Sequence, residues 1–200
     1  MTITCRRKGV RTLFVLAALA AACAPEGPKF RSTDITGAEF GRSLALIGHD
    51  GKPRVLQDFR GKALVVFFGY THCPDVCPTT LAEMAGVMKG LGKDAERVQV
   101  VMVTVDPERD TREVLAKYVP AFDPSFLGLY GDPAATRRVA KEFKIFYEKR
   151  EGKAPGAYTV DHSAQSYVFD PQGRLRLFVR HERIAQDLAE DLRVLLRSAG

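Results

Sequence analysis

The sequence has no apolar run long enough to cross a bilayer as a helix. The longest run, residues 13–22, has ten residues, about half of the ~20 that a membrane-spanning helix needs. It follows a basic segment and ends in small residues, which is typical of an export signal. We therefore expect residues 1–22 to be a signal peptide. Residues 23–35 contain proline, glycine and charges without periodicity, which predicts a flexible tether.

Cysteine is scarce, and its four positions have different expected fates. An export signal would remove Cys5, and Cys23 follows three alanines. Cleavage before Cys23 would resemble a bacterial lipoprotein signal, although that pattern prefers leucine where Ala20 stands. The alternative is an ordinary secretory signal that is cut near the same place. We expect a lipid anchor at Cys23, which would place the protein in the bacterial cell envelope, on the periplasmic face of a membrane.

The remaining thiols, Cys73 and Cys77, form a close pair that we call the dithiol. An exported protein lives in an oxidising compartment, yet a disulfide across so short a loop would constrain little of the unfolded chain. The pair therefore predicts chemistry. Thiolates are both nucleophiles and ligands for soft metals, so a redox pair and a metal site both remain open. Three residues separate the cysteines, whereas thioredoxin-type oxidoreductases have two.

A strong excess of one charge is also missing. The formal net charge is +6, but four of the thirty basic residues lie in residues 1–22, where there is no acid, so the remainder has a net charge of +2. Basic and acidic residues are interspersed through this remainder. The distribution argues against a nucleic-acid partner.

Apolar periodicity predicts alternating strands and helices over residues 36–200. Continuous apolar runs at residues 63–69 and 98–105 predict two buried central strands, with a helix from Pro78 between them. The dithiol lies at the first strand-to-helix turn, where a helix N-terminus favours thiolate. Further patterns predict a hairpin around residues 49–51, two helices in the middle, and a final hairpin and helix. This order predicts an α/β, thioredoxin-like fold with an N-terminal β-hairpin and an extra inserted helix.

Three side chains are candidates to complete a site around the dithiol. His162 precedes the final hairpin, and the loop before that hairpin faces the dithiol in a thioredoxin-like fold. Two sulfurs and an imidazole nitrogen would suit copper; alternatively, His162 is bonded to its neighbours. We expect His72, beside Cys73, and Asp106, at the end of the second central strand, to lie around the site without binding metal.

Residues 149–159 are predicted as a long loop.

Four sequence blocks together resemble the Sco/SenC family, the copper chaperones of cytochrome c oxidase assembly. They are residues 69–81 (GYTHCPDVCPTTL), 105–111 (VDPERDT), 124–129 (PSFLGL) and 160–163 (VDHS). The resemblance implies copper, as Cu(I) or Cu(II), held by Cys73, Cys77 and His162. It also implies delivery to the binuclear copper site of cytochrome c oxidase subunit II and exchange with other copper carriers. The alternative is a thiol-disulfide oxidoreductase or redox sensor that uses the dithiol.

Overall fold

The computed structural model describes residues 27–198. The predicted signal peptide and the predicted lipid site at Cys23 lie outside this range. Within it, no helix is both long and apolar enough to cross a membrane.

Residues 27–198 form an eight-stranded mixed sheet and a separate two-stranded ribbon. The strands are β1 (Thr33–Asp34), β2 (Ala45–Gly48), β3 (Pro53–Val55), β4 (Ala63–Gly69), β5 (Val98–Thr104), β6 (Leu127–Tyr130), β7 (Tyr147–Glu151), β8 (Tyr158–His162), β9 (Ser166–Phe169) and β10 (Leu175–Val179). The helices are α1 (Val76–Leu91), α2 (Arg112–Tyr118), α3 (Pro133–Glu142) and α4 (Ala189–Ser198).

The main sheet has the strand order β1-β10-β9-β4-β5-β6-β2-β3. Its centre is parallel, because β4 pairs with β5 and β5 pairs with β6 in the same direction. All seven residues of β4 are buried, as expected of a strand covered on both faces. The parallel strands end at one edge of the sheet, and that edge carries the dithiol.

Helices cover both faces of the sheet. On one face, α1 packs against α4 and against the π-helical turn Ile184–Leu188 that precedes α4. On the other face, Phe143 follows α3 and packs its ring against Phe68, Tyr167 and Phe169. The predicted α/β class and central strands are confirmed, as are the N-terminal hairpin of β2 and β3 and the two helices between β5 and β9.

Helix α1 begins earlier than the sequence predicts. It starts at Val76, so Pro78 is its third residue and not its first. The earlier start loses no helical hydrogen bond. The first four N–H groups of a helix have no partner within the helix, and proline has no N–H.

The ribbon is the main difference from the predicted fold. Residues 149–159 do not form a long loop, because β7 and β8 pair over five positions from Tyr147↔His162 to Glu151↔Tyr158. His162 is consequently the last residue of a strand and does not lie in a loop. Both strands are largely exposed and polar, so they lack the apolar alternation that reveals a strand in sequence.

The domain also begins before residue 36. The backbone N–H groups of Arg31 and Ser32 donate to the two carboxylate oxygens of Asp191, at 2.7 and 2.9 Å. Strand β1 then pairs antiparallel with β10. The C-terminal part of the segment predicted as a tether, from Phe30 onward, is therefore packed against the domain.

Candidate metal centre

The dithiol is positioned by the turn that joins β4 to α1. Cys77 lies in the first turn of α1 and is fully buried, while Cys73 precedes the helix and is partly exposed. The N–H of Cys77 donates to Cys73 Sγ at 3.3 Å. The sulfur of Cys73 thus accepts one of the unpaired N–H groups of the helix N-terminus, an environment that stabilises a thiolate.

His162 completes a group of three potential ligands. Its Nε2 lies 3.3 Å from Cys77 Sγ, and the two sulfurs and the imidazole nitrogen all lie within 4.8 Å of one another. Among residues 27–198, this is the one group of three or more His, Cys, Asp or Glu side chains found close enough to share a metal ion.

The two thiols differ in acidity because one hydrogen bond joins them. The hydrogen bond from Cys77, together with weaker ones from backbone N–H groups, lowers the pKa of Cys73 from 9.0 to about 4, against the effect of burial. The same hydrogen bond, followed by burial, raises the pKa of Cys77. At neutral pH the reduced pair therefore carries one thiolate at Cys73 and one proton at Cys77.

This acidity predicts the pH dependence of alkylation. Since the folded pKa of Cys73 is about 4, its thiolate fraction stays constant as pH falls from 8 to 5.5. Its rate of reaction with iodoacetamide should then change by less than about twofold, whereas an ordinary thiol slows about tenfold per pH unit below its pKa. Mass spectrometry of the digested protein reports the rate at each cysteine. The urea-unfolded protein is the control, and a tenfold loss per unit in the folded protein would contradict the assigned acidity.

Gly69, the last residue of β4, makes room for the buried sulfur. A Cβ at this position would lie 2.8 Å from Cys77 Sγ and 2.9 Å from a ring carbon of Phe67. Both contacts are closer than real Cβ atoms approach. A side chain at Gly69 would therefore displace the sulfur.

His162 is oriented by its neighbours on the ribbon and on the sheet. Its Nδ1 lies 2.9 Å from the carbonyl oxygen of Ser163. An Nδ1–H that donates there leaves the lone pair of Nε2 facing the dithiol. The ring of Tyr70 packs edge-on against the imidazole, with the centroids 5.8 Å apart, and its hydroxyl accepts from the N–H of Val160 at 3.2 Å. The end of β4 thus holds β8 beside the dithiol.

A second attachment of the ribbon, which we call the latch, consists of Asp106, Arg109 and Tyr158. Asp106 is fully buried and accepts from the Arg109 guanidinium and, at 2.8 Å, from the Tyr158 hydroxyl. Arg109 also donates to the carbonyl of Tyr158 at 3.0 Å, and its guanidinium stacks 3.6 Å from the centre of the Tyr158 ring. Asp106 therefore contacts the ribbon that carries His162, and its role around the site stays a prediction.

Removal of one latch hydrogen bond should weaken metal binding without unfolding the protein. Tyr158→Phe deletes the hydrogen bond from the Tyr158 hydroxyl to Asp106 and leaves the ion pair between Asp106 and Arg109 intact. A hydrogen bond to a charged group contributes about 1.5–3 kcal/mol, and loss of such a supporting group costs about 10- to 100-fold in metal affinity. Competitive Cu(II) titration measures the change. The control is Tyr147→Phe, since the Tyr147 hydroxyl makes no hydrogen bond to residues 27–198; equal affinities of both variants would contradict the latch.

His72 does not join the site. Its side chain is 54% exposed, its Nδ1 lies 3.1 Å from the Thr71 hydroxyl, and it is absent from the group of potential ligands. That His72 acts around the site stays a prediction: its Nδ1 also lies 4.0 Å from the carboxylate of Asp110.

Asp110 supports the turn in a way that sequence did not reveal. It is fully buried and accepts from the N–H and hydroxyl of Thr71 and from the hydroxyl of Thr104. Thr111, and not Asp110, caps α2. Asp110 therefore fixes the segment that leads into Cys73.

The fold and these contacts define a class: a thioredoxin-like protein with two thiols and an imidazole gathered at the edge of its central sheet. The SCO1/SenC family model matches residues 32–197. The chain belongs to this family, as the resemblance predicted.

Named relatives agree with the assignment. The mouse "Protein SCO2 homolog, mitochondrial" is 36% identical over 152 residues, which are 75% of this chain and 60% of the relative. The chain thus spans about three fifths of that relative's length. The solved structure of Bradyrhizobium japonicum ScoI with copper bound is 39% identical, with a TM-score of 0.72, over 79% of this chain and 99% of that one. A SCO1/SenC family lipoprotein from Bacillus anthracis is 26% identical, with a TM-score of 0.69, over 86% and 100%.

Proposed function

We propose that this protein binds one copper ion through Cys73 Sγ, Cys77 Sγ and His162 Nε2 and delivers it to the binuclear copper site of cytochrome c oxidase subunit II. The observation that carries the proposal is the approach of these three atoms to within 4.8 Å of one another. The copper-bound relative from B. japonicum supports the choice of metal. Family membership supports the role in oxidase assembly.

The donor set fits copper chemically. Thiolate sulfur selects soft Cu(I), and imidazole suits both oxidation states. Three such donors would hold Cu(I) in a trigonal site, and Cu(II) would add further ligands. Cys73 is partly exposed, so an incoming ligand from other copper carriers or from the oxidase can reach the site.

The proposed setting is the periplasmic face of a bacterial membrane, with the domain held by a lipid on Cys23. The apolar segment before Cys23 and the lipoprotein relative from B. anthracis support it. Membrane tethering would keep the carrier close to an oxidase that is itself in the membrane.

Copper binding is tested by titration of the fully reduced protein with Cu(II). We expect strong sulfur-to-copper charge-transfer absorption that saturates at one copper per chain. A deletion strain, assayed for oxidase activity with and without added copper, tests the assembly role. Oxidase activity that is unchanged by the deletion in low copper would reject that role.

A second function is favoured by the unequal acidity of the thiols. An exposed thiolate over a buried, protonated thiol suits thiol-disulfide exchange. Cys73 would attack a partner disulfide to form a mixed disulfide and release one partner thiolate. Cys77, after losing its proton, would attack Cys73 Sγ and release the second, so the partner is reduced and the dithiol is oxidised. Rapid reduction of a model disulfide with negligible copper retention would favour this function over copper delivery.

A further inference from the structure

A groove between α3 and β7 has a composition that differs from its surroundings. Its volume is about 560 Å³ and no acidic residue lines it. The lining residues are Arg137, Ala140, Lys141, Lys144, Ile145, Phe146 and Tyr147. We call this surface the basic groove.

The basic groove combines free positive charge with exposed apolar surface. Arg137 and Lys141 make no ion pair with any acidic side chain in residues 27–198, whereas the ammonium group of Lys144 lies 4.5 Å from the centre of the Phe40 ring. Between these cations lies Phe146, which is 58% exposed. Among residues 27–198, no other large apolar side chain is as exposed. Unpaired cations around an exposed aromatic ring indicate a binding surface for a protein with acidic and apolar side chains.

The groove lies next to the candidate metal centre. Tyr147, which lines it, pairs directly with His162 across the ribbon, so the two side chains share one face of the ribbon at a Cβ separation of about 5 Å. Phe146 is hydrogen-bonded to Ser163, the residue that follows His162. The N–H of Ser163 donates to the Phe146 carbonyl at 2.9 Å, and the N–H of Phe146 donates to the Ser163 hydroxyl at 3.1 Å. A molecule seated in the groove would therefore lie beside the proposed copper ligand.

We infer that the basic groove is the docking surface for the oxidase subunit II to which this chain delivers copper, and that subunit II presents an acidic segment with an apolar side chain for Phe146. The inference rests on the proposed function, because it assumes that copper is exchanged at His162. The position of the groove beside a proposed metal ligand favours the protein that receives the copper over a lipid surface.

The test uses the full chain and the soluble domain of oxidase subunit II as the probe. Its dissociation constant is measured by titration for the wild type, for the double variant Arg137→Glu/Lys141→Glu and for Phe146→Ala, each with and without copper. We expect both variants to raise the dissociation constant at least about tenfold at low salt. The effect of the charge reversals should shrink at ~0.5 M salt, where screening is strong.

The matched control is Arg138→Glu, an exposed charge reversal on the same helix that does not line the groove; we expect a change below about twofold. Unchanged binding of the groove variants would overturn the inference. The inference would also be overturned if the groove variants lost binding to phosphatidylglycerol vesicles but kept binding to the subunit II domain, since that result would assign the groove to a lipid surface. Copper titration of every chain separates the two failures: a wild type that binds no copper rejects the proposed function, whereas copper-binding variants that still dock normally reject only the groove.

Discussion

His162→Ala should remove most of the Cu(II) affinity of the reduced protein while the fold stays intact. His162 supplies the nitrogen of the three-atom group, and its Nε2 faces Cys77 Sγ at 3.3 Å. Loss of a group that supports a ligand costs about 10- to 100-fold in affinity, so loss of the ligand itself should exceed about 100-fold. Competitive titration measures the affinity, and far-ultraviolet circular dichroism and thermal unfolding check the fold.

The matched control for this experiment is His72→Ala. His72 is adjacent to Cys73 in sequence but exposed and outside the group, so we expect its Cu(II) affinity to match the wild type. Wild-type affinity in the His162→Ala protein would refute the proposed ligand set. Equal losses in both variants would show instead that the titration reports general histidine binding.

Oxidation of the dithiol should abolish copper binding, and reduction should restore it. A bond between Cys73 and Cys77 turns the thiolate of Cys73 and the thiol of Cys77 into neutral disulfide sulfurs about 2.05 Å apart. Two of the three donors are then lost together, and the imidazole alone does not hold copper tightly. We expect no charge-transfer band from the oxidised protein at a copper concentration that saturates the reduced protein.

The experiment is cleanest in a Cys5→Ser/Cys23→Ser background, where the dithiol holds the only thiols. Thiol counting by mass spectrometry confirms the redox state before each titration. The control is the same background with Cys77→Ser, which cannot form the intramolecular bond, so mass spectrometry should detect no intramolecular disulfide after treatment with oxidant. Copper binding by a protein with no free thiol would refute a site built on these sulfurs.

The parts of the fold that sequence predicted are those where burial leaves a local pattern. Strand β4 was predicted at its observed limits because a strand covered on both faces is apolar throughout. The ribbon escaped prediction because its strands are polar and exposed, and only their pairing with each other makes them strands. Local propensity is overridden by such long-range contacts.

In the candidate site, too, some residues leave a local pattern in the sequence and others are brought together only by the fold. The dithiol is visible in sequence because its members are four residues apart, and His162 is visible through the predicted fold and the family resemblance. The latch was not predicted, because Arg109 and Tyr158 meet across 49 positions of the chain.

The division of the proposed ligands between two separate sheets has a thermodynamic consequence. Cys73 and Cys77 follow the main sheet, whereas His162 belongs to the ribbon, which pairs with none of its strands. Bound copper would join the two, so it would favour the position of the ribbon described above, which we call closed, over any position that moves His162 away from the dithiol, which we call open. By linkage, a protein that binds the ribbon only when it is open must lower copper affinity by the same factor by which copper lowers its own. Under the proposed function, a recipient that binds the open ribbon would promote copper release before any of its own ligands reaches the metal.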